Sequence, residues 1–495
     1  MANDMTKGSV SKNIVVFALP VFIGSMFQQL YNTADSLFVG NFIGSNALAA
    51  VSSAGYVIFL LVGFFDGLFM GAGVVIAHFI GAKDFVKTQK AVHTTVALGL
   101  ITSVLLTLIG TLFAPVILRL IGTPDDVMKE SLSYFRIYFL GSFSFVMYNT
   151  FTGILRSAGD SKSPLYFLVI SSIVNIVLDF FFVFALHFGV ASVALATVIS
   201  ETISVILCAR KLLFVDGSHR LYLSKIAIDG ALFKKIIKIG IPSGAQNSII
   251  GFANIIVQSH INQFGKLAMA GQGAYSKIEG FAFLPITSFT SALTTFVSQN
   301  IGAKQFERVK KGALFGTLCS CVLAELIGLF TFYFAPVLVG AFDATPEAVA
   351  YGVSRGRTCA LFYCLLSYSH ALSAILRGQG KSIVPMIVML VCWCIIRVTI
   401  LTVGFMFYNT IMIVNAVYPI TWGLSTILFS IYYFSIASII APEPKANTEP
   451  INIPNMQQKP ILFPTCSFIS SSAFFEAKPK VNAAPIPFVT PSKAE

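Results

Sequence analysis

Charge is what this chain is short of. Only 11% of its 495 residues are Asp, Glu, Lys or Arg, against about a quarter in an ordinary soluble domain. Even a large water-soluble globule keeps a charged skin, so that class is excluded. The six histidines show no zinc spacing. Of the eight cysteines, Cys208, Cys319, Cys321, Cys359, Cys364, Cys392 and Cys394 fall in or beside apolar segments. They act there as small packing residues, because a CxC within one helix does not converge on a metal. No nucleophile–base pair can be assembled, so neither an enzyme nor a cofactor is expected. Gly71-x-Gly73 and Gly271-x-Gly273 lack the strand context of nucleotide loops and are expected to let helices approach closely. Asp125-Asp126 with Glu130 resembles a diphosphate–metal cluster, but Thr123-Pro124 before it is the start of a helix with acids in its first turn.

What is present is apolar: 56% of the residues are hydrophobic, in long blocks rather than in stripes. Runs of about 18 or more such residues read as membrane-spanning helices. Twelve are placed at 14–38, 47–77, 94–113, 131–155, 164–186, 190–210, 236–260, 268–298, 312–334, 351–375, 385–407 and 412–437. Barrel strands would alternate, and these blocks do not. The first run is expected to be a retained helix rather than a signal peptide. The net charge of +12 follows topology, not nucleic acid. Alternate loops hold Lys83, Lys87, Lys90, Arg156, Lys162, Arg210, Lys211, Arg220, Lys225, Lys234, Lys235, Lys304, Arg308, Lys310, Lys311, Arg377 and Lys381, while the opposite loops hold only Arg119, Lys129, Lys266, Arg355 and Arg357. The basic side is cytoplasmic by the positive-inside bias, which puts both termini there and the basic loops on anionic lipid. The expected setting is an inner membrane, crossed many times.

The two halves repeat at a shift of 221 or 222 residues. Ile80-Gly-Ala-Lys83 recurs as Ile301-Gly-Ala-Lys304, Phe113-Ala-Pro115 as Phe334-Ala-Pro336, and Thr123-Pro124 as Thr345-Pro346. Ile154-Leu-Arg156-x-x-Gly159 recurs as Ile375-Leu-Arg377-x-x-Gly380, and Ala18-Leu-Pro20 is echoed by Gly240-Ile-Pro242. Six helices per repeat make both halves cross in the same sense, around an axis along the membrane normal. The expected layout is a lobe at 1–210, a joint at 211–235, a second lobe at 236–440 and a disordered tail at 441–495. Ten of the twenty prolines lie in 442–495, which supports the last assignment.

Tyr31-Asn-Thr-Ala-Asp35-Ser-Leu-Phe-Val-Gly40 resembles the first-helix signature of the multidrug and toxic compound extrusion (MATE) family. Asn175-Ile-Val-Leu-Asp179, Gly189-Val-Ala and Ala196-Thr197-Val-Ile-Ser200 resemble its fifth and sixth helices. The resemblance covers residues 10–440 and implies an all-α protein of twelve transmembrane helices in two six-helix lobes related by a pseudo-two-fold axis. It implies cation-coupled export of small organic molecules by alternating access. The tail has no counterpart in it.

A carboxylate at the bilayer centre costs roughly 2.5–3.5 kcal/mol on insertion scales, so each needs a reason. Asp35, Asp179 and Thr197 fall at similar depth by the 1.5 Å rise per residue, and Asn175 shares a face with Asp179. Two carboxylates, an amide and a hydroxyl are hard ligands that suit Na⁺ or a shared proton. The resemblance implies these same four positions as a cation site. Tyr134 or Tyr138, at similar depth in the fourth helix, can add a further hydroxyl. Gln28, Asn32, Lys277, Glu279 and Arg397 are weaker candidates for cavity lining. Asp66, Glu201 and Glu325 have no evident partner. The expected function is efflux of amphipathic or cationic compounds in exchange for H⁺ or Na⁺, by a monomer. A lipid-linked precursor flippase would need a basic central cavity, and a membrane-embedded transferase a surface acid–base cluster. Truncation after residue 441 should leave transport intact. An inactive but correctly inserted truncation in a dye-efflux assay would show that the tail takes part.

Overall fold

In lipid, each backbone polar group must be satisfied within its own segment, which leaves helices as the economical solution. The computed structural model describes residues 4–38, 45–120, 123, 127–184, 189–342 and 345–437. For residues 31–38, 45–57, 59–60, 184, 190 and 436–437 the description is confined to the backbone. All of these belong to one compact unit, residues 1–442.

Twelve helices make the fold, and no strand occurs among the described residues. The first six are α1 (Val10–Phe38), α2 (Ser45–Gly81), α3 (Phe85–Leu112, continued by Ala114–Leu120), α4 (Met128–Leu140 and Ser142–Ser157), α5 (Lys162–Phe184) and α6 (Val190–Phe214). The second six are α7 (Gly230–Asn262), α8 (Lys266–Gly302), α9 (Phe306–Gly340), α10 (Pro346–Gly378), α11 (Ile383–Phe407) and α12 (Ile411–Ala437). Each expected span falls on one of them. Ten, among the described residues, are long and apolar enough to cross a membrane. The others are α4, broken at Gly141 into pieces of 13 and 16 residues, and α7, which carries Lys234, Lys235, Lys238 and several amides.

The repeat is written into the turns. Lys83 and Lys304 both adopt left-handed backbone, with φ of 55° and 58°, as do Gly159 and Gly380 at 84° and 78°. At each, the two N–H groups after the helix close back on its last carbonyls, as in Lys83 N–H to Ile80 and Asp84 N–H to Phe79. A left-handed lysine costs about 1–2 kcal/mol, so its recurrence marks a turn that the packing enforces. Pro346 starts α10 with Glu347 in the first turn, as expected. In the first repeat the helix begins later, at Met128, and Pro124, Asp125 and Asp126 lie outside the described residues.

All these basic turns lie on one face of the bundle, hereafter the basic face. The joint between repeats is tied there to α3. Tyr222 N–H donates to His93 Nε2 (3.1 Å), which assigns the Nδ1–H tautomer donating to the Gln89 carbonyl. Asp229 caps α7 and pairs with Lys90; the N–H of Leu232 holds its carboxyl below the usual range.

The lobes meet most extensively through α2 and α7. A Cβ on Gly67 would overlap the backbone of Gly244, and one on Gly71 that of Gly240. Small residues four apart on both helices thus let the backbones touch. The symmetry-related crossing, α1 on α8, includes Ala18 and Ala292 in a buried cluster with Phe17, Phe289 and Phe296, so side chains intervene. At the axis, Gly81 abuts the Gln299 carbonyl and Gly302 the His78 carbonyl. A strap, Met5 to Gly8, closes over this point: Asn300 and Arg308 donate to the Met5 carbonyl (3.2 and 3.0 Å), and Arg308 also to that of Gly8 (2.7 Å). Of the expected close-packing glycines, Gly71 and Gly271 serve so, whereas Gly273 faces open space. Gly71→Val or Gly240→Val should destabilise by about 1–3 kcal/mol, read as a lower unfolding temperature in detergent. Gly273→Val should change it little.

Candidate functional site

Between the lobes lies a cavity of about 480 Å³ lined by α1, α2, α4, α5 and α6 from the first repeat and α7, α8 and α10 from the second. Its wall carries many small hydroxylic residues, for example Ser25, Ser171 and Ser172 opposite Thr287, Thr290 and Ser291. Toward the basic face it ends at Gly73, Val74, Ser157 and Thr294. There Ser298 donates to the Val74 carbonyl (2.7 Å), and Gln299 donates to that of Ser157 (2.7 Å) while accepting from Met5 N–H (3.2 Å). The lobes are therefore stitched together below the cavity.

Four charged side chains reach this space: Asp66 and Glu201 from the first lobe, Arg156 from the same lobe and Arg377 from the second, with His370 beside them. Asp66 Oδ1, Arg156 Nε, His370 Nε2 and Arg377 Nε are buried with no hydrogen-bond partner among the described residues. Arg156 and Arg377 correct the sequence-based placement in loops. Their helices run on to Ser157 and Gly378, so each guanidinium turns inward from a last helical turn.

The candidate cation residues are arranged as follows. Ser171 donates to the Ser200 carbonyl (2.8 Å) and Ser204 to that of Phe167 (3.2 Å), fixing the antiparallel register of α5 on α6. One turn further, Asn175 is level with Ala196 and Thr197, and Asp179 with Ser192. Asn175 and Asp179 are each 1% exposed. Both amide atoms of Asn175 are without a partner among the described residues, and the residue lines the central cavity. Thr197 donates to the Val193 carbonyl (2.9 Å), leaving its lone pairs free to accept. The side chains of Asp35 and Asn32 lie outside the described residues. Gln28 lines the central cavity. Tyr134 and Tyr138 stack on one another at 6.3 Å and line neither cavity.

The remaining candidates belong elsewhere. Lys277 is exposed and lines neither cavity, because it points away from the helix face that buries Ile278 and Glu279. Glu279 and Arg397 line a second cavity, about 400 Å³, enclosed by α7, α8, α10, α11 and α12. Arg355, placed by sequence among opposite-face loops, is also there, 4% exposed and paired with Glu279 at 2.8 Å. Glu325 accepts from the N–H of Cys364 (3.0 Å), where α10 is interrupted by a tight turn.

A family model described as MatE matches the chain twice, over residues 20–181 and 242–403. The chain belongs to the MatE family. Its two matches start 222 residues apart, the spacing of the internal repeat. Two Bacillus subtilis proteins are similar along most of their length. The probable multidrug resistance protein YoeA is 29% identical over 394 residues, 77% of this chain and 84% of that protein. The probable multidrug resistance protein YpnP is 28% identical over 401 residues, 80% of this chain and 88% of that protein. A crystal structure of MATE in complex with MaL6 superposes with a TM-score of 0.82 at 25% identity, covering 88% of this chain and 98% of that one. The MatE fold of twelve membrane helices in two lobes is therefore the fold of this protein.

Sequence reasoning singled out Asp66 and Glu201 without a partner, since depth alone does not say which helices face each other. A usable signal was present in the helix phase. Asp66, Met70 and Gly73 share one stripe of α2, and Glu201 lies beside Ser200 and Ser204 on α6; all line one cavity. An unpartnered buried amide costs about 1–3 kcal/mol. Asn175→Leu should therefore leave thermal stability unchanged or raised while removing transport. A fall of several degrees in the unfolding temperature would show that the amide is structural.

Proposed function

We propose that this MatE-family protein is a secondary antiporter that exports amphipathic, often cationic, organic molecules in exchange for H⁺ or Na⁺. The observation that carries this reading is a cavity walled by both repeats, holding charged and hydroxylic side chains and closed at the basic face. Alternating access needs such a shared space, opened by rocking one lobe on the other. The names printed for YoeA and YpnP, probable multidrug resistance proteins, support drug-like cargo. The positive-inside bias supports a cytoplasmic basic face in an inner membrane, with both termini cytoplasmic. On that orientation the described state is closed to the cytoplasm. We take 1–210 and 236–440 as the lobes, 211–235 as their joint and 441–495 as a tail outside the transport unit. Each chain carries its own cavity, which supports a monomer as the working unit.

Coupling is assigned to Asp35, Asn175, Asp179 and Thr197. Two carboxylates in a dry bundle are held most cheaply with a cation or proton between them, so occupancy changes how α1 packs on α5 and α6. One charge moving across about 100 mV supplies roughly 2.3 kcal/mol, enough for roughly a fortyfold gradient. That energy reaches the cargo only if occupancy shifts the balance between the two open states. A flippase with a basic central cavity is not favoured, because Asp66 and Glu201 offset Arg156 and Arg377 there.

Dye efflux from everted vesicles under separately imposed proton and sodium gradients tests the reading. Wild-type vesicles should respond to at least one gradient. Asp35→Asn and Asp179→Asn should each abolish coupled efflux at near-normal expression, because Asn keeps the volume and removes the charge. Wild-type rates in either variant would remove that residue from the mechanism.

A further inference from the structure

The cavity inside the second lobe has a charge imbalance. Its charged lining residues are Glu279, Arg355 and Arg397, two guanidiniums to one carboxylate. Glu279 is committed to Arg355 at 2.8 Å, and Arg355 also donates to Gln272 Oε1 (3.3 Å) and Ser276 Oγ (3.1 Å). Arg397, 1% exposed, has only neutral partners: it donates to Thr421 Oγ1 (2.9 Å) and Asn254 Oδ1 (3.5 Å). Its guanidinium lies 4.7 Å from the Tyr418 ring centre and 5.3 Å from that of Trp393. Among the described residues it has no ion-pair partner. The Nε atoms of both arginines are buried without a hydrogen-bond partner.

A guanidinium taken out of water and left without a counter-charge is strongly disfavoured, and aromatic faces offset only part of that. The planar fork of arginine matches the two oxygens of a carboxylate or phosphate. Around this head the wall turns apolar, with Ile250, Val257 and Ile261 of α7. The backbone is shaped for the site as well. Residues Leu390–Ile396 form a π-helical stretch that ends at Arg397, and such wide turns re-aim the side chains next to them.

The cavity also has a way in. Asn254 and Ser276 on its lining are exposed. A Cβ on Gly280, another lining residue, would stand 3.6 Å from Gln29 of α1, so this rim lies where the lobes meet. His370, which lines the central cavity, packs edge-on against Phe283 (5.9 Å) and Trp393 (5.4 Å), which line this one. One aromatic layer separates the two spaces.

We propose that this cavity binds the anionic group, carboxylate or phosphate, of an amphipathic molecule through Arg397 and Arg355. The protein would then accept anionic or zwitterionic cargo, beyond the cationic compounds proposed above.

The chain has two tryptophans, and both, Trp393 and Trp422, wall this cavity. Intrinsic fluorescence of the purified full-length protein therefore reports on it directly. Hexanoate or hexyl phosphate should change the emission saturably, and the tighter of the two identifies the preferred head group. Hexanol and hexylammonium should not do so. Arg397→Gln should weaken anion binding about tenfold or more. Asn254→Asp, on the exposed rim and compatible with folding, should do the same by supplying the missing carboxylate. A response to hexanol equal to that of the anions, no saturable response to either anion, or unchanged affinity in Asn254→Asp would overturn the proposal. Efflux plays no part in this readout, so its failure and the failure of the antiport reading are separate results.

Discussion

Backbone resting on backbone at the pseudo-two-fold axis is the contact on which the rest of this molecule depends. Gly81 meets the Gln299 carbonyl, and Gly302, its repeat equivalent, meets that of His78. In lipid there is no hydrophobic gain from pressing one helix on another, so association relies on close packing and on bonds between polar atoms. Glycine provides the first, and Ser298, Gln299 and Asn300 provide the second. The lobes are pinned here below the central cavity, and α2 on α7 carries the contact on along its wall, where Asn247 donates to the Gly63 carbonyl.

The two inter-lobe crossings are alike in topology and unlike in intimacy. Gly240 and Gly244 let α7 lie directly on α2, whereas α1 meets α8 through alanine and phenylalanine side chains. Of that looser pair, α8 lines the central cavity with Thr287, Thr290, Ser291, Thr294 and Thr295. Charge is distributed as unequally as packing. The first lobe offers the cavity Asp66, Glu201 and Arg156, whereas the second offers Arg377 and keeps Glu279, Arg355 and Arg397 in a chamber of its own. A duplicated fold thus carries carboxylates at the central cavity from its first half and none there from its second, among the described residues. Repeat symmetry therefore predicts the position of a helix far better than the chemistry of the residue it carries.

That distinction explains what could be read from the sequence. Helix number, the repeat, the turn glycines and the burial of Asn175 and Asp179 follow from hydropathy and spacing, which are local quantities. Sequence depth could not say that Arg156 and Arg377 turn into a cavity, because both sit at the end of a span where loop and last turn look alike. Lys277 and Glu279 are two residues apart, yet one is exposed and the other is bound to Arg355. Only the facing helix decides between such neighbours. The π-helical stretch beside Arg397 has no sequence signature of its own.

The strap from Met5 to Gly8 is held chiefly through its main chain. Asn300, Arg308 and Asn13 grip the main-chain oxygens of Met5, Lys7 and Gly8, and Met5 alone is fully enclosed as a side chain among them. A carbonyl is common to all twenty residues, so what this clasp measures is register rather than composition. The side chain of Lys7 is open to drift. One residue more or fewer before Val10 would bring the wrong carbonyls under Arg308 and leave the clasp unlatched.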